Sequence, residues 1–187
     1  RFANPRFELL FVVTISESLP HSKYEMLRMA LDMIVDHARG REWAHVFGDS
    51  FKQGLAGYDA WIGAMERRAA DEEGNAYNLA VVADAREHAV RYLELLAEQW
   101  NGTNVVERNV RLRAMEARKH YAVVAEAFDE LRGMFPFPSG GSPKDPDQAD
   151  RAIRLLQTAK QAETAGVEAL EKLHQFMKQY HSEIWIH

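Results

Sequence analysis

Two Glu-x-x-His pairs, Glu42/His45 and Glu171/His174, are the first residues whose types and spacing suggest chemistry. On a helix, that spacing puts a carboxylate and an imidazole on one face, the ligand pattern of a di-metal carboxylate bundle. Chance alone supplies about one such pair in a chain of this make-up, and Glu42/His45 fall in an irregular stretch beyond Gly40. His88, His120 and His174 form a second set, three imidazoles on three predicted helices, as in an open zinc or nickel site. Projected at about 100° per residue, His120 and His174 fall at the core boundary and His88 farther out, positions where imidazoles ordinarily bond a neighbouring carboxylate. No metal site is therefore assigned, and no cofactor is expected.

Glu163 is the more unusual residue. It projects into the middle of an apolar stripe made by Ala152, Leu156, Ala159 and Leu170. A carboxylate there needs a partner, because a buried charge persists mainly when paired. Arg113, on the core edge of the preceding helix, is the partner the projection suggests. If Glu163 faces a cavity instead, it becomes an acid–base or ligand-binding candidate, with Arg113, His120, Tyr58 and Trp61 around it. Tyr92, Trp100 and Tyr121 complete the aromatic set, at spacings that mostly read as core. Gly-rich phosphate loops and Gly-x-Ser-x-Gly elbows are both missing, since Ser139-Gly140-Gly141-Ser142 lacks the Lys-Ser/Thr ending. With no catalytic signature, whether the chain is an enzyme stays open.

The composition narrows the field further. In 187 residues there is no Cys, which removes disulfides, thiolate metal sites and a thiol nucleophile from this chain. A 47% hydrophobic and 27% charged make-up is that of a globular protein. The net charge of −5 argues against broad nucleic-acid affinity. Arg108, Arg111, Arg118 and Lys119, like Asp84, Glu87, Glu94 and Glu98, read as solvated faces. Phe7–Ile15 is the densest apolar run, far short of the roughly 20 residues a membrane-spanning helix needs, so a soluble, cytoplasmic chain without membrane contact is expected.

Stepping along the chain, Phe7–Ile15 reads as a buried strand, and residues 1–21 as a strand and linker that end a domain lying outside this sequence. Ser22 and Glu25 stand at capping-box spacing ahead of a helix over about Lys23–Arg39, stopped by Gly40. Further helices are expected over about Ser50–Glu72, Ala76–Trp100, Asn104–Met134 and Asp147–Gln179, with Gly74-Asn75 as a break and Ser182–His187 as an extended tail. Gly54 and Gly57 permit close helix approach. Long amphipathic helices joined by short turns make a mainly α, up-and-down bundle of about five helices over residues 22–187.

Three stretches, Gly54-Leu55-Ala56-Gly57-Tyr58-Asp59-Ala60-Trp61-Ile62, His120-Tyr121-Ala122-Val123-Val124-Ala125-Glu126-Ala127 and Met134-Phe135-Pro136-Phe137-Pro138, carry a resemblance. Together they resemble the helical C-terminal region of bacterial papain-like or peptidase-C39-like proteins of the butirosin-biosynthesis H type, over roughly residues 22–175. The resemblance implies cysteine-dependent chemistry on a separate papain-like half, with the helical part covering it or shaping its cleft. Phe7–Ile15 and the start at Arg1 would fit the end of that missing half. No activity carries over to a residue here, because the chain has no Cys.

Two readings follow. The first is a non-catalytic bundle that packs against a partner domain, another protein or a second copy of itself. The rival is a ligand-binding or enzymatic bundle built around Glu163, Arg113 and His120, with a His-rich metal-binding bundle as its variant.

Overall fold

Ser22 opens the first helix as expected: its Oγ accepts the Glu25 N–H at 3.2 Å, and Glu25 Oε2 accepts the Ser22 N–H at 3.0 Å. That helix is α1, Lys23–Ala38; it is followed by α2, Leu55–Glu66, α3, Glu72–Gln99, α4, Val105–Met134, and α5, Pro146–Ile184. The computed structural model describes residues 22–41 and 52–184. The strand expected over Phe7–Ile15, the Glu42/His45 pair and residues 185–187 lie outside the described residues.

Ion pairs between helices fix their directions. Asp32 lies 2.6 Å from His174 and Arg39 lies 2.6 Å from Glu171, so α1 descends as α5 rises. Lys160–Asp59 and Arg68–Asp150, at 2.6 and 2.7 Å, set α2 on the lower half of α5 in the same sense as α1. Arg118–Glu94 ties α4 to α3 at 3.3 Å, and Arg151–Glu130 ties α5 to α4 at 2.6 Å. The result is an up-and-down bundle of four columns, in which α1 and α2 share the first column end to end. At 39 residues, α5 is about 58 Å long at about 1.5 Å per residue, enough to span both.

Several helix boundaries differ from the sequence reading, among them the start of α2, which is Leu55 and not about Ser50. Gly74-Asn75 does not break a helix; it lies in the first turn of α3, because Asp71 caps that turn by accepting the Gly74 N–H at 2.7 Å. Asn75 is buried, and its Oδ1 accepts the Trp61 Nε1–H at 2.9 Å. The break falls earlier, at Arg68, a non-glycine residue at φ 56. Its guanidinium holds that turn by donating to the Met65 carbonyl at 2.8 Å and to Asp150 at 2.7 Å. At the other end, α5 continues to Ile184, so Ser182–Ile184 is helical and not the extended tail expected there.

The apolar core is divided. One part gathers Leu27 and Leu31 of α1, Leu93 and Leu96 of α3, Val106 and Val110 of α4, and Leu170 and Leu173 of α5. The other gathers Tyr58 and Met65 of α2, Leu79 of α3, Phe128 and Leu131 of α4, and Leu156 of α5. The α1 end is anchored by Tyr24 edge-on to Trp100, with ring centres 5.0 Å apart. Burial works to raise the Asp32 pKa, but Lys178 and His174 outweigh it and hold the carboxyl below its ordinary value. Arg39 does the same for Glu171.

Candidate functional site

Between the two halves of the core lies a level that is polar. Glu163 of α5 is only 5% exposed, and the turns on either side of it are apolar, with Ala159 below and Val167 above. Arg86 of α3 reaches it with a two-pronged contact, Nε to Oε2 at 3.0 Å and Nη2 to Oε1 at 2.8 Å. Such fork-to-carboxylate geometry is the strong, directional form of an ion pair. Tyr58 of α2 donates its hydroxyl proton to Glu163 Oε2 at 2.6 Å. Tyr121 of α4 completes the level, so each column contributes one residue.

The electrostatics agree with that geometry. Burial tends to lower the Arg86 pKa, but the adjacent Glu163 carboxylate wins and holds it above the ordinary guanidinium value. Burial first, and the Glu163 charge second, push both the Tyr58 and the Tyr121 phenols well above their ordinary value. Both phenols are therefore hydrogen-bond donors, not phenolates, at neutral pH. Tyr121 is 6% exposed, and among the described residues its hydroxyl makes no hydrogen bond. Gly166 positions it: a Cβ there would come within 2.9 Å of the Tyr121 ring, so the ring lies directly on the backbone of α5.

Arg86, Tyr121 and Glu163 form the polar floor of a cavity of about 360 Å³. It lies where α1 ends and α2 begins, bounded by Ala38 and Gly54; its walls are Ile34, Ala89, Tyr92, Leu93 and Leu170, with Met33 and His37 of α1 also in the lining. That volume falls in the usual range for small-molecule sites, and the mix of apolar walls with few converging polar groups is typical of them. A larger groove of about 630 Å³ between α2 and α5 has no buried side chain in its lining, and Lys160 and Asp59 within it are paired at 2.6 Å.

The residues singled out from sequence divide sharply. Glu163 and Tyr58 are brought together. Arg113 is not the partner of Glu163; it pairs with Glu116 on its own helix at 2.6 Å, because its axial position on α4 is more than two turns from Tyr121. Half-buried His120 packs its Cβ side toward Gly166 and does not line the cavity. Trp61 bonds Asn75 and tilts against Phe128, ring centres 5.9 Å apart, away from the cavity. His88 is exposed beside Asp84, and His174 pairs with Asp32, so the three histidines do not converge. Among the described residues no group of three or more His, Asp or Glu side chains is placed to hold a metal ion. Part of the charge on the outer faces of α3 and α4 is spent between them, as Arg118 meets Glu94 and Arg132 meets Glu87. Projection missed Arg86, whose partly exposed side chain reaches inward from the flank of α3.

Fold and site together define a helical bundle with an internal polar cluster at the floor of an apolar cavity. Compared with known proteins, the chain matches no protein-family model, no curated protein and no solved structure. Among the described residues no helix is long and apolar enough to cross a membrane.

Proposed function

We propose that this bundle binds a small molecule in the cavity between α1, α3, α4 and α5. The observation that carries the reading is the convergence of the Tyr121 hydroxyl, which makes no hydrogen bond among the described residues, with Arg86 and Glu163 in the lining of a largely apolar cavity. Apolar walls with a few converging polar groups are the usual lining of a small-molecule site, and a ligand acceptor there takes the Tyr121 hydroxyl as its partner. The test is titration of small solutes, cyclohexanone and indole among them, into isotope-labelled protein followed by amide NMR. Resonances of Ile34, Ala89 and Leu170 are expected to move together. Ala89→Phe, which fills the cavity, abolishes the shifts while the helical circular dichroism spectrum is kept. Shifts that survive Ala89→Phe, or no shift from any solute, sink the reading.

A second reading has its own support. Met26, Met29 and Met33 form an exposed stripe along α1, beside exposed Tyr92 and Leu95 of α3. A contiguous apolar face suits packing against another domain or protomer, and methionine adapts well to such contacts. This is the role that resemblance to papain-like bacterial proteins would give the bundle. Native mass spectrometry across a concentration series is expected to show association that Met29→Glu removes. A monomer at every concentration that also fails to capture a separately expressed papain-like half counts against it.

A further inference from the structure

Resting on the pocket reading, the geometry points to an uncharged ligand with an apolar body and one carbonyl oxygen. The polar floor determines the head group. Both carboxylate oxygens of Glu163 are engaged by Arg86, and Oε2 also accepts from Tyr58, so little acceptor capacity is left for a ligand donor. What remains on the floor is the Tyr121 hydroxyl, which can donate or accept, and Nη1 of Arg86, which can only donate and makes no hydrogen bond among the described residues; His37 stands higher in the lining. A ligand reaching Arg86 must therefore accept a hydrogen bond, and the Tyr121 hydroxyl can donate a second.

The same floor disfavours a charged head. Arg86 and Glu163 neutralise each other, so neither a ligand carboxylate nor a ligand ammonium meets a net counter-charge in the pair. Bringing an ion into such a site without a free counter-charge carries a large desolvation cost. Helix ends do not alter this balance. The carboxyl end of α1 at Ala38 and the amino end of α2 at Gly54 both border the cavity, and their opposite partial charges offset each other. Above the floor, Ile34, Leu93 and Leu170 offer only apolar contact, which suits an aliphatic or aromatic body. A ketone, ester or tertiary amide with such a body matches the apolar walls and accepts from both donors.

Three probes of equal chain length separate the alternatives: 2-octanone, octanoate and octylammonium, each titrated calorimetrically into the full chain at neutral pH. The ketone is expected to bind tightest, with either ion about ten-fold weaker or more. Tyr121→Phe keeps the ring against Gly166 and removes the donor, and is expected to weaken ketone binding about five-fold. The ranking on the unaltered protein does not depend on that variant folding. Tightest binding by octanoate or octylammonium overturns the ligand class and leaves the pocket standing. Unchanged ketone affinity in folded Tyr121→Phe also overturns the class. Binding by none of the three up to millimolar concentration overturns the pocket itself, and the class with it.

Discussion

Glu163→Ala is expected to destabilise the bundle by about 3–5 kcal/mol, because it strands the Arg86 guanidinium beside an apolar core without its counter-charge. Tyr58 loses its acceptor in the same step, since its hydroxyl donates to Glu163 at 2.6 Å. Glu163→Gln is expected to cost less, as an amide oxygen still accepts one of these bonds. The triple variant Tyr58→Phe/Arg86→Met/Glu163→Leu removes every member of the pair and its donor at once. It is expected to fold with stability within about 1 kcal/mol of the unaltered protein, or above it, since apolar replacements of a buried ion pair are often neutral or stabilising. Denaturant unfolding monitored by circular dichroism measures all three. The triple variant also separates the two roles of the cluster. A purely structural pair predicts that nothing beyond stability changes, whereas the pocket reading predicts weakened solute binding in a protein that is still fully folded. A triple variant less stable than Glu163→Ala would show that the level is held by more than the pair and its phenol.

Gly54→Ala is the second large effect expected. Gly54 caps α2 at φ 55 and ψ −135, a backbone conformation essentially reserved for glycine. A Cβ there would stand 2.2 Å from the Ala38 carbonyl oxygen and 2.5 Å from that of His37. Both obstacles are backbone at the end of α1, so no side-chain rotation relieves them. Strain of about 1–3 kcal/mol from the backbone conformation and a similar cost from the overlap give a loss of roughly 2–6 kcal/mol. The overlap is relieved only if α2 withdraws from α1, which alters the cavity that Gly54 and Ala38 both border. Calorimetric melting and the NMR titration described for the pocket are expected to fail together in this variant. A melting temperature unchanged within a degree or two would show that the junction is far more compliant than its geometry implies.

The course of the helices was legible because each relies on local signals: the Ser22/Glu25 box, the apolar stripes of α4 and α5, and the Pro-rich stop after Met134. The burial of Glu163 was equally legible, since it follows from position on one helix. Its partner was not. Choosing between Arg113 and Arg86 requires the axial offset between helices, which no single-helix projection contains, and Arg86 reaches its target from a flank. Local propensity also misplaced the break. Gly74 and Asn75 are poor helix formers, yet the Asp71 cap and the Trp61–Asn75 hydrogen bond outweigh that preference. Arg68 in the left-handed region carried no comparable signal, because its stabilising partner Asp150 is distant in sequence.

The polar level between the two halves of the core also answers how the columns choose their height. Faces rich in alanine, such as Ala114, Ala117, Ala152, Ala159 and Ala169, present a smooth surface along which helices can slide with little loss of apolar burial. A slip of one turn, about 5.4 Å, would leave those contacts nearly equivalent but would pull Arg86, Tyr58 and Glu163 out of reach of one another. The cluster therefore acts as a detent: it adds little to the depth of the native well, and makes the neighbouring wells expensive.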